Sequence, residues 1–189
     1  LDTLPKIEID SGIAEVYKHS IIGDDDLWNY LKVNSKELDL DYIVKSSKNL
    51  KLEIVSKDPY EKNIRKKLNF GHTIGHAIES YLLDSNAPTL HGFAIAKGMI
   101  IESFIAKKEN LLSENFFQEI KTVLSNNFKS YLNFKIDSKA IIKLILSDKK
   151  NTKSTINFSL PTKIGEVTIN HEIELKKVES YLLEFLQND

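Results

Sequence analysis

The stretch "HGFAIAKGMIIESFIAKKEN", residues 91–110, would form a helix that is apolar nearly all round in its first half. A helix without a polar face belongs at the centre of a fold, so the remaining chain has to wall it in. The flanking segments have that character. "GIAEVYKHSII" sets Ile13, Val16, Tyr17 and Ile21 at helical spacing behind Ser11, which suits an N-cap. "GDDDLWNYLKV" opens with acids, where the helix dipole favours them. "LDYIVKSSKNLKLEIVSKD" turns Tyr42, Ile43, Leu50, Ile54 and Val55 inward and is ended by Pro59. "FGHTIGHAIESYLL" supplies another helix, and Ser113 and Asp137 can cap "ENFFQEIKTVLSNN" and "SKAIIKLILSD".

Helical rhythm breaks at "TINFSLPTKIGEVTI", where β-branched and aromatic residues alternate around a Pro and Gly turn, predicting a hairpin. An amphipathic helix, "EIELKKVESYLLEFLQ", closes the chain. The expected fold class is mainly α: a multi-helical domain with a small β-hairpin. With 189 residues and no repeat or low-complexity linker, residues 1–189 read as one domain around one core.

Composition narrows the function. A net charge of -1 argues against a nucleic-acid or membrane-surface binder. No apolar run reaches the roughly 18 residues a bilayer requires, and the N-terminus lacks a leader pattern, so a cytoplasmic protein is expected. There is no cysteine, so a transition metal would have to be held by His, Asp or Glu.

His72 and His76 stand four apart, on one face of a helix, and His91 opens the next one. Three imidazoles converging with a carboxylate would suit zinc or a similar divalent metal. For any single histidine the ordinary reading is a hydrogen-bonded core residue. The glycines weigh against it: Gly71, Gly75, Gly92 and Gly98 surround these histidines, and each costs a helix about 1 kcal/mol relative to alanine. A ligand or a crossing backbone must need the space. Upstream, Glu61, Arg65, Asn69, His72 and His76 follow one another at three or four residues, which would make one stripe if the segment is helical. Arg65 is the only arginine in the chain. "SDKKNTK" by itself reads as a solvated helix end, and Glu15 with Lys18 as a surface pair of little energetic weight.

Together, "TLPKIEIDSGIAEVYKH", "DPYEKNIRKKLNFGHTIGHAIE", "LHGFAIAKGM" and "SDKKNTKSTINFSLPTKIGE" resemble, in order and spacing, the C-terminal metal-binding domain of the 3-dehydroquinate synthase family. The resemblance implies the C-terminal half of a dehydroquinate synthase-like fold. It also implies an enzyme that converts 3-deoxy-D-arabino-heptulosonate 7-phosphate to 3-dehydroquinate plus phosphate, a step of the shikimate route to aromatic amino acids. In such enzymes NAD oxidises a hydroxyl and later returns the hydride, phosphate is eliminated between the two, and a divalent metal holds substrate hydroxyls. Carried over by position, Glu15, His72 and His91 match the metal ligands, with zinc expected ahead of cobalt. His76 and Glu61 match proton-handling residues. Lys18, Lys51, Arg65 and Asn69 match substrate contacts, together with Lys149 or Lys150, of which Lys150 is preferred.

No glycine-rich dinucleotide turn occurs in the sequence, so the family's N-terminal NAD-binding domain is expected outside this chain, leaving the domain able to bind metal but inactive alone. Its expected partners are that missing domain and a phosphorylated sugar-acid substrate; whether it forms a homodimer is left open. Four positions depart from the family pattern. Phe93 replaces an acid that could orient His91, Asn63 stands where glycine is usual and would have to accept left-handed backbone, Ile7 replaces an arginine, and Lys97 interrupts an apolar run. The rival readings are a related sugar-phosphate cyclase, a metal-dependent alcohol dehydrogenase domain, and a non-catalytic helical association domain.

Overall fold

In the computed structural model the described residues are 3–35, 37–147 and 154–188. They form eight α-helices and one hairpin: α1 (Lys6–Gly23), α2 (Asp25–Val33), α3 (Leu40–Lys57), α4 (His72–Asp84), α5 (His91–Lys108), α6 (Glu114–Asn127), α7 (Ser138–Ser147), β1 (Thr155–Lys163), β2 (Glu166–Glu174) and α8 (Leu175–Gln187). A 3₁₀ segment, Ile64–Asn69, links α3 to α4. No helix among the described residues is long and apolar enough to cross a membrane.

The apolar helix is the axis of the fold. In α5 every residue from Gly92 to Ala106 is buried, and α1, α4, α6, α8 and β1 pack around it. Its contact with α4 is made backbone to backbone. A methyl group at Gly98 would fall on the Gly71 carbonyl and within 2.7 Å of the Gly75 amide nitrogen. At the other end of the axis, a side chain on Gly92 would collide with the Ser11 carbonyl of α1. The glycines around the histidines are therefore there for crossing backbones. Gly71 has a second constraint, since its φ of 79° is left-handed.

Several sequence expectations need correction. Ser11 does not cap α1, which begins after Pro5; it lies buried within the helix, and its hydroxyl accepts the Gly92 N–H at 3.1 Å, capping α5 instead. Tyr42 faces outward, 40% exposed, and meets Tyr30 edge-on at 4.7 Å. Residues Glu172 to Glu174 belong to β2, because Ile173 pairs with Ile156 and Glu174 with Thr155, so α8 starts at Leu175. The stripe from Glu61 to His76 is not one helix: Glu61 has a φ of 55°, the 3₁₀ segment covers Arg65 to Asn69, and Gly71 breaks the chain direction before α4. Asn63 is not left-handed, with φ at -138°.

The hairpin carries one irregularity that bears on the site. Phe158 pairs with His171 and Leu160 with Thr168, so Ile169 and Asn170 together oppose Ser159. This is a β-bulge, with Asn170 at a φ of 56°. Phe93, at the buried start of α5, stacks on Tyr131 at 4.1 Å with an interplanar angle of 8°, and the Tyr131 hydroxyl donates to Asp10 at 2.8 Å.

Candidate metal and substrate site

Three elements converge at the N-terminal ends of α4 and α5. α1 contributes Glu15 and Lys18, α4 contributes His72 and His76, and α5 contributes His91. The α4 end is fixed by a residue that the sequence reading passed over. Glu102, fully buried in α5, accepts the Gly71 N–H at 2.6 Å and the Ile74 N–H at 2.9 Å, satisfying helix-end donors that no local side chain caps. Burial pushes its carboxyl up to about 8 against the opposing pull of those amides. The one signal available was an acid in the middle of an otherwise apolar helix.

Glu15 and Lys18 are not a surface pair. Lys18 is almost wholly buried and donates to Glu15 Oε2 at 2.8 Å. Burial alone would raise the Glu15 carboxyl, but the Lys18 ammonium and the surrounding imidazoles hold it down to about 2. Burial lowers the Lys18 pKa, and the Glu15 carboxylate partly offsets this.

The second Glu15 oxygen is the informative one. Oε1 is buried and meets no hydrogen-bond donor among the described residues, yet it lies 3.7 Å from His72 Nε2 and 3.9 Å from His91 Nε2. His72 Nδ1 is 3.1 Å from the Phe70 carbonyl, and His91 Nδ1 is 3.1 Å from Glu79 Oε2. Each Nδ1 must therefore carry the proton it donates, so that in the neutral imidazole it is the Nε2 lone pair that faces the carboxylate. Burial, reinforced by Lys18, lowers the His72 pKa to about 3, so that imidazole is neutral near pH 7. Three lone pairs facing one another without a proton repel. Separations of this size suit ligands lying about 2 Å from a shared cation.

A second donor set shares the place: one ring nitrogen each from His72, His76 and His91 lie within 4.8 Å of one another. The His76 ring centroid is 5.0 Å from that of His72 and 5.6 Å from that of His91. Glu79, whose carboxylate holds His91 at Nδ1, is an orienting residue that the sequence gives no sign of.

The other sequence candidates divide into two groups. Glu61, Asn69, His72 and His76 line one cavity of about 580 Å³, completed by α7 and the hairpin. There the Asn69 amide donates to Glu61 Oε1 at 2.7 Å. Arg65 does not line this cavity, and its guanidinium donates to the Pro59 carbonyl at 2.8 Å. Its loop is tied by buried Asp58, which accepts the backbone N–H groups of Lys62, Asn63 and Arg65. Lys51 is exposed on α3, near enough that its charge lowers the pKa of Lys18 and of His19. Lys149 and Lys150 lie outside the described residues.

A helical shell around one buried helix is a fold shared with solved structures. The fold matches a 2-deoxy-scyllo-inosose synthase complexed with carbaglucose-6-phosphate, NAD+ and Co2+, with a TM-score of 0.81 at 22% identity, over 97% of this chain and 53% of that one. It also matches a 2-epi-5-epi-valiolone synthase from Streptomyces hygroscopicus with NAD+ and Zn2+ bound, with a TM-score of 0.80 at 19% identity, over 99% of this chain and 53% of that one.

Sequence comparison makes the relationship narrower. Residues 12–151 match the family 3-dehydroquinate synthase C-terminal, and the chain belongs to that family. The 3-dehydroquinate synthase of Thermodesulfovibrio yellowstonii is 39% identical over 188 residues, covering 94% of this chain and 52% of that protein. The Campylobacter concisus enzyme is 37% identical over 98% of this chain and 53% of its own length. The chain thus spans about half the length of the curated relatives it matches.

Proposed function

We propose that this chain is the metal- and substrate-binding part of a 3-dehydroquinate synthase, acting on 3-deoxy-D-arabino-heptulosonate 7-phosphate together with an NAD-binding half. The observation that carries the metal assignment is Glu15 Oε1, a buried oxygen without a donor among the described residues, set between the Nε2 atoms of two imidazoles. It favours Glu15, His72 and His91 as the ligand set over the three histidines. A divalent cation held there, zinc or cobalt, would acidify a coordinated substrate hydroxyl and stabilise its developing negative charge.

The chain's own groups supply the rest. Lys18 keeps Glu15 ionised, and Glu79 keeps the His91 proton on Nδ1. His76, one turn beyond His72 on the cavity wall, is placed to exchange a proton with a substrate group, and Glu61 is assigned the same kind of role. Asn69, held by Glu61, contributes an amide at the same wall. Lys51 and Arg65 are assigned, from the family resemblance, to meet a carboxylate or phosphate. The NAD chemistry belongs to the other half, and the domain alone would bind metal without turnover.

Metal analysis after chelator stripping and reloading tests the reading. One equivalent should return to the protein, His72→Ala should lose it, and His76→Ala should keep it while lowering turnover in the full-length protein. Uptake unaffected by His72→Ala rejects the ligand assignment. Comparing turnover of the heptulosonate phosphate with that of a heptulose phosphate separates this reading from a related cyclase.

A further inference from the structure

The cavity beside His72 and His76 extends beyond them to the hairpin, and its far wall holds a cation that none of the assignments above uses. Lys66 lines this cavity with Asn157, Ser159 and Asn170. Its ammonium donates to Asn170 Oδ1 at 2.8 Å, and it forms no ion pair among the described residues. A half-buried ammonium with one neutral acceptor keeps two N–H donors and its whole charge for a ligand.

Its placement rests on two separate features of the hairpin. The β-bulge opposite Ser159 puts Asn170 in left-handed backbone, and the Asn170 amide is the group that meets Lys66. Bulges of this kind re-aim a side chain. Across the bulge, buried Ser159 donates its hydroxyl to the Lys66 carbonyl at 2.7 Å, holding the 3₁₀ segment against β1. One residue is thus gripped at its backbone and at its ammonium by opposite strands of the same hairpin.

We propose that Lys66 is an oxyanion-binding residue that receives one anionic end of the substrate, the phosphate or the carboxylate, with Asn170 as its positioning residue. This rests on the reading of the site as a sugar-phosphate cyclase centre. An acidic sugar phosphate carries an anion at each end of a polyhydroxyl chain. If its hydroxyls face the histidine cluster, an end must reach along the cavity wall, and a charge-assisted contact there fixes the chain's direction.

The test uses the full-length protein with its NAD-binding half. Lys66→Gln can still donate to Asn170 but carries no charge, so it separates charge from structural support. It should raise KM for 3-deoxy-D-arabino-heptulosonate 7-phosphate at least tenfold with kcat within about threefold, and Lys66→Arg should restore most of the loss. Asn170→Gly, which keeps the left-handed backbone without the amide, should raise KM less than Lys66→Gln does. Competitive binding of a heptulose 7-phosphate lacking the carboxylate identifies the end: equal weakening by Lys66→Gln marks the phosphate, and no weakening marks the carboxylate. A KM within threefold of wild type for Lys66→Gln overturns the proposal while leaving the proposed function intact. If the wild type does not turn over the heptulosonate phosphate, the functional reading fails. Calorimetric titration of metal-free protein with inorganic phosphate and with acetate then decides the Lys66 question. Tenfold weaker binding of either anion by Lys66→Gln sustains the oxyanion site, and unchanged or absent binding of both overturns it.

Discussion

Single residues set the electronic state of this site more than its shape. Glu79 is the clearest case, because its carboxylate decides which nitrogen of His91 carries the proton and hence whether Nε2 presents a lone pair beside Glu15. Glu79→Ala should weaken divalent-metal affinity roughly 10–100-fold with little change in stability, read by competition against a chelating dye. Unchanged affinity would mean that the His91 tautomer is set by another group. His72 and His76 were legible in the sequence as a pair at helical spacing, whereas Glu15 and Lys18, which by spacing alone read as a surface pair, were placed at the site only by the family resemblance. Glu79 was not legible, since its partner lies in another helix and a glutamate on an amphipathic surface gives no sign of what it faces. The burial of Lys18 was hidden for the same reason: a Glu and Lys three apart look alike whether solvent or protein covers them.

At the scale of elements, the sequence marked out most helices, because a 3.6-residue apolar rhythm records which face is buried. It misplaced those ends whose partners come from elsewhere in the chain. Ser11 caps α5 and Glu102 caps α4, both across helix contacts. Strand β2 overran its expected end because pairing with β1 outweighs the helical rhythm of Glu172 to Glu174. Glu102→Ala should therefore destabilise the protein by on the order of 2–4 kcal/mol, leaving two buried N–H groups without acceptors and a cavity beside α4. Glu102→Gln, which retains one carbonyl acceptor, should cost less. Urea denaturation of the metal-free protein measures both, and a loss below about 1 kcal/mol for the alanine variant would show that other groups hold the α4 terminus.

For the whole molecule, buried titratable groups tie stability to pH. His19 is buried, with Nδ1 at 2.6 Å from Ser47 Oγ and Nε2 meeting no partner among the described residues. Burial, with the Lys18 charge behind it, lowers its pKa from 6.5 to about 4. The folded state then binds this proton less readily than the unfolded chain does. The His19 contribution is present above pH 6.5 and is lost as pH falls through 4, amounting to about 3 kcal/mol. His19→Gln should flatten the loss of stability of metal-free protein between pH 6.5 and 4. An acid limb as steep as that of wild type would place the linkage in other groups.

The stack of Phe93 on Tyr131 also says something about descent. The two rings lie face to face at 4.1 Å, with Tyr131 anchored to Asp10. An acid at position 93 would put a charge against that ring, so neither residue can have changed alone without cost. Across related sequences, aromatic character at these two positions should be inherited together. Relatives that carry an acid at position 93 should have something other than an aromatic ring opposite it, so that the two positions record in sequence a contact that only the folded chain makes.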